Sequence, residues 1–482
     1  MVFSSFEFLH AFLPLALLLG FAAWFLLGTR AANVMLVLLS LAFYVWGPGV
    51  EFLWLIGVSI ACNYGLAILV DWARRERPPL LPWVIGGVVL FNLGLLGYFK
   101  YANFAVAQFA AASGTPIAWQ SVALPIGISF FTFHAMSYVF DVARQRAVPL
   151  KSPVEYALYI LLFPQLVAGP IVRYQTIADQ LLQRDPRLDD VVAGLQRFAH
   201  GLVKKVLIAD AAGAIADPIF ALSGAELTPG AAWLGVLAYT VQIYFDFSGY
   251  TDMAIGLARI FGFRFPENFN RPYSSLSISD FWRRWHMSLS SWFRDYLYIP
   301  LGGSQKGELA TYRNLFIVFL LTGLWHGASW TFVLWGAYHG TLVLLERLLG
   351  LRAVEDADLR RGLPELVLRR VVTLLLVMIG WVMFRAGSME QIGQFLSAMV
   401  RLDQLQWPVA LAERFANRDL AFAALGLLVF LLPREFRGTV LYASPKLAVR
   451  WAAAGVIIGA GLVYALMRVA SGSFSPFLYF QF

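Results

Sequence analysis

The sequence predicts an all-α polytopic integral membrane protein, and three observations support this class. Of its 482 residues, 59% are hydrophobic and only 14% are charged, whereas soluble domains carry about 25% charged residues. Apolar runs of roughly 20 residues, the length that spans the hydrocarbon core, recur along the whole chain. Aromatic residues reach 16%, which suits interfacial belts and closely packed helices. A soluble chain of this length needs several polar surfaces, and there are too few charged residues here to cover them.

The candidate spans follow one another with short connections. Clear apolar runs lie at about 8–28, 32–48, 51–70, 81–99, 122–142, 231–256, 329–349, 366–384, 419–433 and 451–469. Pro, Gly or charged residues interrupt three further segments, 154–172, 197–222 and 312–326. Such segments at membrane depth must be enclosed by protein or line a cavity, so we expect re-entrant or tilted helices there. The prediction is one membrane domain over residues 1–482, with about 10–13 helices at membrane depth.

Basic clusters orient the chain, because cytoplasmic loops of membrane proteins are rich in Lys and Arg. The clusters at Arg30, Arg74–Arg77 and Arg144–Lys151 follow the first, third and fifth spans, which places the N-terminus outside. The same rule places Arg347–Arg370 and Arg434–Arg450 inside, so the tail Ser471–Phe482 is predicted to emerge outside. The start, Met1 to Leu9, lacks the basic residues of a secretory signal, so the first run is predicted to be a retained span. The net charge of +8 forms no single stripe of the kind that binds nucleic acid. The clusters are Arg30, Arg74–Arg77, Arg144–Lys151, Lys204–Lys205, Arg347–Arg370 and Arg434–Arg450.

Histidines are the first candidates for chemistry, because an ionisable side chain at membrane depth is costly and usually functional. His326 lies beside Trp325 in the apolar stretch LLTGLWHGASW, whose small residues permit close approach of a helix or a thin substrate. Desolvation favours the neutral imidazole, which is the form that a general base needs. His326 is therefore a candidate base. The alternative is a histidine hydrogen-bonded between helices.

A second candidate, His286, lies in the segment from about 262 to 311. This segment is too polar to span and too aromatic for a disordered loop, so we expect amphipathic helices at the cytoplasmic interface. The alternative for His286 is an interfacial residue paired to a carboxylate such as Asp280. His339 is expected to belong to the same helix system as His326. Structural roles are expected for His10, His134 and His200.

Two carboxylates, Asp246 and Asp252, lie within the apolar run YFDFSGYTDMAIG. They could hold a histidine in one tautomer, or they could pair with buried arginines such as Arg259 or Arg271, which is the favoured role. Gly-x-Ser-x-Gly and P-loop motifs are absent from the sequence, so a covalent serine mechanism is unsupported. The single cysteine, Cys62, cannot form an internal disulfide, and metal-ligand Cys/His spacing is absent.

Several long motifs resemble one family, the membrane-bound O-acyltransferases, and within it the alginate-acetylation branch. The resemblance covers nearly the whole chain, including its start, MVFSSFEFLHAFLPL, and its ending, PFLYFQF. Its strongest part lies at about 160–340. The motifs are FPQLVAGPIVRY at 163–174, YFDFSGYTDMAIGLARIFGFRFPENFNRPY at 244–273, DFWRRWHMSLSSWFRDYLYIPLGGS at 280–304 and TGLWHGASWTFVLWGAYHG at 322–340.

The resemblance implies a ring of tilted helices around a thinned centre, with a channel that joins cytoplasm and exterior. It assigns His326 to the family's invariant histidine and His286 to the second family position. It also implies a bacterial inner-membrane enzyme that acetylates an exported polysaccharide, expected to be alginate, through a periplasmic SGNH-type partner. The donor is acetyl-CoA or another acetyl thioester, which is a substrate, and no bound cofactor or metal is expected.

In this interpretation His326 removes the proton of the acceptor hydroxyl. His286 orients the acceptor or stabilises the developing oxyanion. The phosphates of an incoming donor could be attracted by Arg283, Arg284 and Arg294, although the same arginines could anchor the segment to anionic lipid.

Three alternatives stay open at this point. The same machinery could transfer D-alanyl groups to teichoic acid, or acetyl groups to cellulose or peptidoglycan. A transporter of glycan or lipid would also explain ionisable residues at membrane depth. It gives no reason for two histidines in Trp-rich settings, and the sequence shows none of the repeats that transporters often carry.

Overall fold

The computed structural model describes residues 2–47, 49–351, 362–401, 413, 415–432, 448–472 and 477–478. Within these ranges every regular element is helical, which confirms the predicted all-α class. In chain order the α-helices are α1 (Leu13–Leu27), α2 (Thr29–Trp46), α3 (Leu53–Glu76), α4 (Leu81–Leu96), α5 (Ala102–Ser113), α6 (Ile128–Ala143), α7 (Pro153–Leu161), α8 (Phe163–Leu166), α9 (Tyr174–Leu182), α10 (Leu188–Val203), α11 (Asp210–Phe220), α12 (Pro229–Ile260), α13 (Ile278–Arg284), α14 (Met287–Phe293), α15 (Glu308–His326), α16 (Trp330–Leu348), α17 (Leu363–Arg385), α18 (Met389–Val400), α19 (Asn417–Leu431) and α20 (Ala448–Ala470).

Five helical stretches of the described chain are long and apolar enough to cross a membrane. They expose many large apolar side chains, as lipid-facing helices do, and they coincide with predicted spans. The predicted basic cluster Arg434–Arg450 and the tail beyond Gly472 lie wholly or largely outside the described residues. The five stretches are Phe8–Leu27, Thr29–Trp46, Leu53–Glu76, Pro78–Ser113 and Leu363–Arg385.

One predicted helix start is wrong, and one predicted interruption is absent. The run 122–142 becomes helical only at Ile128, because Pro125 and the left-handed Gly127 (φ +82°) form a turn before it. The segment 312–326, predicted to be interrupted, lies within the uninterrupted helix α15. A glycine inside a helix costs only about 1 kcal/mol relative to alanine, and close packing offsets that cost here, as described below.

The other two interrupted segments are irregular, as predicted. Segment 154–172 breaks at Leu162, between α7 and the four-residue α8, and is not helical from Val167 onward. Segment 197–222 passes from α10 through a π-helical turn, Lys204–Ala209, into α11, which contains Pro218. Their place relative to the membrane stays a prediction.

The described chain divides into two compact units, and its single-domain organisation stays a prediction. The first comprises Met1–Phe198 and Thr251–Pro266, and the second comprises Ala199–Tyr250 and Glu267–Phe482. Both candidate histidines lie in the second unit. The first unit packs around aromatic rings with centroids 5.0–6.5 Å apart. These rings include Phe3, Phe8, Phe12, Phe43 and Phe163.

Part of the motif FPQLVAGPIVRY has a structural role in the first unit. Phe163 joins the aromatic cluster just described. The hydroxyl of Tyr159, close before the motif, donates to the carbonyl of Val172 within it at 2.9 Å. A buried polar group needs such a partner, so these contacts account for the aromatic and polar character of the segment.

Candidate active site

Helices α15 and α16 form a tightly packed pair because each places a glycine at their crossing. A Cβ atom on Gly323 would overlap the carbonyl oxygen of Phe332, and one on Gly336 would lie 2.6 Å from the carbonyl oxygen of Phe319. Small residues permit such close backbone approach between helices in membranes. The pair therefore holds the C-terminal end of α15, where His326 lies, in one position.

His326 is the last residue of α15 and is 5% exposed. Aromatic rings surround its imidazole: centroids lie 5.1 Å away for both Trp335 and Phe384, and 5.0 Å away for Trp325. The C-terminal end of a helix carries partial negative charge, which stabilises an imidazolium formed there. This setting suits a side chain that accepts a proton during a reaction.

Helix α13 carries Arg283 and Arg284 and ends just before His286. Hydrogen bonds hold its N-terminal end in place. The Ser277 hydroxyl accepts the Asp280 N–H at 3.0 Å, which is the N-cap arrangement. The Glu346 carboxylate of α16 accepts the backbone N–H of Ile278 and, at 2.9 Å, that of Ser279. These bonds satisfy N–H groups that a helix start otherwise leaves without partners. They fix α13 against α16 at its N-terminal end.

His286 lies between α13 and α14, 1% exposed, with its backbone in the left-handed region at φ 45° and ψ 54°. A non-glycine residue there is strained by about 1–3 kcal/mol and persists only where its surroundings enforce it. The Nδ1 atom of His286 lies 3.1 Å from the Oδ1 atom of the buried Asn268. Burial lowers the pKa of His286 to about 3, so its ring is neutral at physiological pH.

The two candidate histidines meet at one aromatic side chain. The ring of Trp325 lies 5.0 Å from that of His326 and 6.1 Å from that of His286, centroid to centroid. Phe247 of α12 packs edge-on against the other side of His286 at 4.8 Å. The structure thus brings His286, from the turn between α13 and α14, together with Trp325 and His326 of α15, with apolar rings around them.

The three arginines predicted to contact the donor differ in their surroundings. Arg284 is half-buried, with its Nε 2.8 Å from the Asp280 carboxylate, and therefore has a structural partner. Arg283 and Arg294 are exposed, and Arg294 forms an ion pair with its neighbour Asp295 at 2.8 Å. Of these three side chains, Arg283 and Arg294 are the ones that offer a guanidinium to solvent.

Asp246 and Asp252 both have basic partners, although not the arginines suggested from sequence. Asp246 lies 2.7 Å from the Nζ atom of Lys205, and Asp252 lies 2.8 Å from Arg197. Arg259 instead pairs with Asp190, and Arg271 donates to the carbonyl of Leu432. These ion pairs give both carboxylates a structural role.

Sequence reasoning missed three residues that support this site: Asn268, Glu346 and Lys205. Asn268 carries no charge and lies 18 residues from the histidine that it contacts. The sequence places Lys205 in a basic cluster at a span end, yet its side chain is only 4% exposed. A lysine beside an apolar run gives no local sign that two aspartates neutralise it. An acidic residue such as Glu346 near a helix end is common on exposed surfaces.

The chain is similar to one protein family and to several proteins of known or probable function. The family model described as "MBOAT, membrane-bound O-acyltransferase family" matches residues 87–389. The probable alginate O-acetylase AlgI of Pseudomonas putida is 41% identical over the full length of both chains. The peptidoglycan O-acetyltransferase of Helicobacter pylori is 36% identical, over 84% of this chain and 80% of that protein. The teichoic acid D-alanyltransferase of Bacillus subtilis is 32% identical, over 53% of this chain and 71% of that protein.

Proposed function

The chain belongs to the membrane-bound O-acyltransferase family, and on that premise we propose that it transfers acetyl groups to hydroxyls of an exported polysaccharide, with alginate as the expected acceptor. The observation that carries the proposal is the meeting of His286 and His326 at Trp325 in a buried aromatic setting. The similarity to the alginate O-acetylase covers the full chain, whereas the similarity to the D-alanyltransferase covers 53% of it. This difference favours acetyl over D-alanyl transfer.

The proposed reaction moves an acetyl group from a thioester to a hydroxyl. His326 accepts the hydroxyl proton while the hydroxyl oxygen attacks the acetyl carbonyl. The carbon–sulfur bond then breaks, an ester forms, and the proton is delivered to the departing thiolate. Removal of the proton by a positioned base typically contributes about 10²–10⁴-fold to the rate. Holding both reactants in line contributes further acceleration.

The donor is acetyl-CoA or another acetyl thioester, and its phosphates would contact Arg283 and Arg294, which are exposed. We expect Arg283→Glu to raise the donor KM more than it lowers kcat, because the contact serves binding. Initial rates at varied donor concentration measure this. Arg187→Glu, at an exposed arginine of the first unit, is the control and should leave KM unchanged. An unchanged KM in Arg283→Glu at normal protein level would assign Arg283 to a structural role.

We also propose that the protein lies in a bacterial inner membrane with both termini in the periplasm, where an SGNH-type partner would receive the acetyl group and pass it to the polysaccharide. Single cysteines on a Cys62→Ala background test the orientation. A cysteine at Ser473 should react with a membrane-impermeant maleimide in intact cells, and one at Arg77 should react only after lysis. Reaction of both from the same side would contradict this orientation.

The function itself is tested by complementation of alginate-producing cells that lack their own acetylase. Expression of this chain should restore ester-bound acetate on the alginate. This is measured as the acetate that alkali releases from the purified polymer. Acetate found on peptidoglycan alone would change the proposed acceptor. D-alanine found on teichoic acid, in a matched host, would change the proposed acyl group. Absence of ester-bound acyl groups from every exported glycan, with the protein present in the membrane, would overturn it.

A further inference from the structure

Three hydrogen-bond contacts converge on one oxygen atom, Oδ1 of Asn268. The backbone N–H of Ser288 approaches it at 3.2 Å and the Ser288 hydroxyl at 2.8 Å. The Nδ1 atom of His286 lies 3.1 Å from the same oxygen. Asn268 is completely buried, so this arrangement is shielded from water and is stronger than it would be at a surface.

These contacts determine which ring nitrogen of His286 carries the proton. A backbone N–H can only donate, so the Asn268 atom that faces Ser288 is the carbonyl oxygen of the amide and not its nitrogen. That oxygen can only accept, so Nδ1 of His286 must donate to it. In a neutral imidazole one nitrogen donates and the other accepts. The lone pair therefore lies on Nε2.

The backbone of Asn268 reinforces this orientation. Its carbonyl oxygen accepts the N–H of Met287 at 2.9 Å. One residue thus contacts His286 and both residues that follow it, and these contacts stabilise the left-handed conformation of His286.

The neighbours of the His286 ring include Phe247 of α12 and Trp325 of α15. The titratable residues next to these two in sequence are Asp246 and His326. Asp246 forms an ion pair with Lys205, which also pairs with Asp210. Asp280 of α13, the carboxylate suggested from sequence as a partner, pairs with Arg284.

We propose that Asn268 is a positioning residue that holds His286 as the Nδ1–H tautomer, so that Nε2 of His286 accepts a hydrogen bond from a second N–H or O–H group of the acceptor, next to the hydroxyl whose proton His326 removes. This inference rests on the proposed function for the identity of the acceptor. It selects between the two roles considered for His286, because a neutral ring in this tautomer cannot donate from Nε2 to an oxyanion. His286 then orients the acceptor, and stabilisation of the oxyanion falls to other donors.

The tautomer can be measured without turnover. Protein labelled with ¹⁵N-histidine and reconstituted in lipid should give, for His286, a pyrrole-type Nδ1 signal and a pyridine-type Nε2 signal. The variant His286→Asn, whose side chain tolerates left-handed backbone, identifies the His286 signals by their loss. The reversed pattern, with the proton on Nε2, would overturn the inference whether or not the protein transfers acetyl groups. If the proposed function proves wrong, this measurement of the tautomer still stands.

Variants of Asn268 test the link to catalysis. Asn268→Leu removes the acceptor and should lower kcat on the order of 10–100-fold, as is typical when a partner that orients a histidine is lost. Asn268→Asp keeps an acceptor oxygen, so we expect it to retain activity at high pH. Its negative charge favours the imidazolium, so activity should fall as the pH falls, with an acidic limb at higher pH than that of the wild-type protein.

The pH profile separates positioning from a merely structural role. If Asn268 only stabilises the fold, Asn268→Asp and Asn268→Leu should lose activity equally at every pH, and this result would contradict the inference. Asn92→Leu is the control for the loss of a buried amide elsewhere, because Asn92 bonds to Asn63 in the first unit. Any effect of that variant should follow the amount of folded protein and leave the pH profile unchanged.

Discussion

His326→Gln should abolish acetyl transfer while the protein remains folded. Glutamine keeps the approximate size and the hydrogen-bonding capacity of histidine but cannot take a proton near neutral pH. We expect kcat to fall at least about 10²-fold, equivalent to about 2.7 kcal/mol of barrier, within the range for loss of an acid–base group. Glycan acetylation in cells and transfer rates of purified protein both measure this effect.

The matched control for His326→Gln is His10→Gln, at an exposed histidine of the first unit. The control should retain full activity. Melting temperatures in detergent should agree among the wild-type protein and both variants, because His326 makes aromatic contacts that a glutamine of similar volume can fill. Substantial transfer by folded His326→Gln would exclude a base role and make His286 the next candidate.

Lys205→Met should destabilise the second unit severely. The Nζ atom of Lys205 lies 2.6 Å from Asp210 and 2.7 Å from Asp246, and all three side chains are at most 10% exposed. Removal of the cation leaves two buried carboxylates uncompensated. Breaking a buried pair in this way costs about 3–5 kcal/mol, so we expect a lower melting temperature and a lower yield in the membrane.

Replacing all three charged residues by uncharged ones separates the cost of the unpaired carboxylates from the loss of the lysine side chain itself. Lys205→Met combined with Asp210→Asn and Asp246→Asn removes all three charges and should recover part of the lost stability. Lys151→Met, at an exposed lysine, should have almost no effect. If Lys205→Met melts at the temperature of the wild-type protein, the ion cluster does not stabilise the fold as described.

The fold class and most helices could be predicted because lipid imposes a simple rule on sequence. Each span needs a long apolar run, and α1 to α4 follow such runs closely. The prediction failed where tertiary packing overrides local character. Gly323 suggested an interruption, but in α15 it permits the close approach of Gly336, which only the partner helix makes favourable.

The candidate site was predictable to a different degree for each residue. His326 and His286 were found because ionisable groups in apolar, Trp-rich stretches are unusual. Their meeting at Trp325 depends on how α13, α14 and α15 pack, which local sequence does not encode. Long-range pairing likewise hid the role of Lys205, since Asp246 lies far along the chain in α12.

The most direct test of the central claim is acetyl transfer by the purified protein in proteoliposomes. Radiolabelled acetyl-CoA would be supplied on one side of the membrane, with alginate oligosaccharide and the periplasmic partner on the other. We predict that the wild-type protein forms alkali-labile acetyl ester on the oligosaccharide and that His326→Gln, at the same protein level, forms at least about 10²-fold less. Equal ester formation by the two proteins would contradict the account. So would the absence of ester from the wild-type protein with every component present and the chain folded.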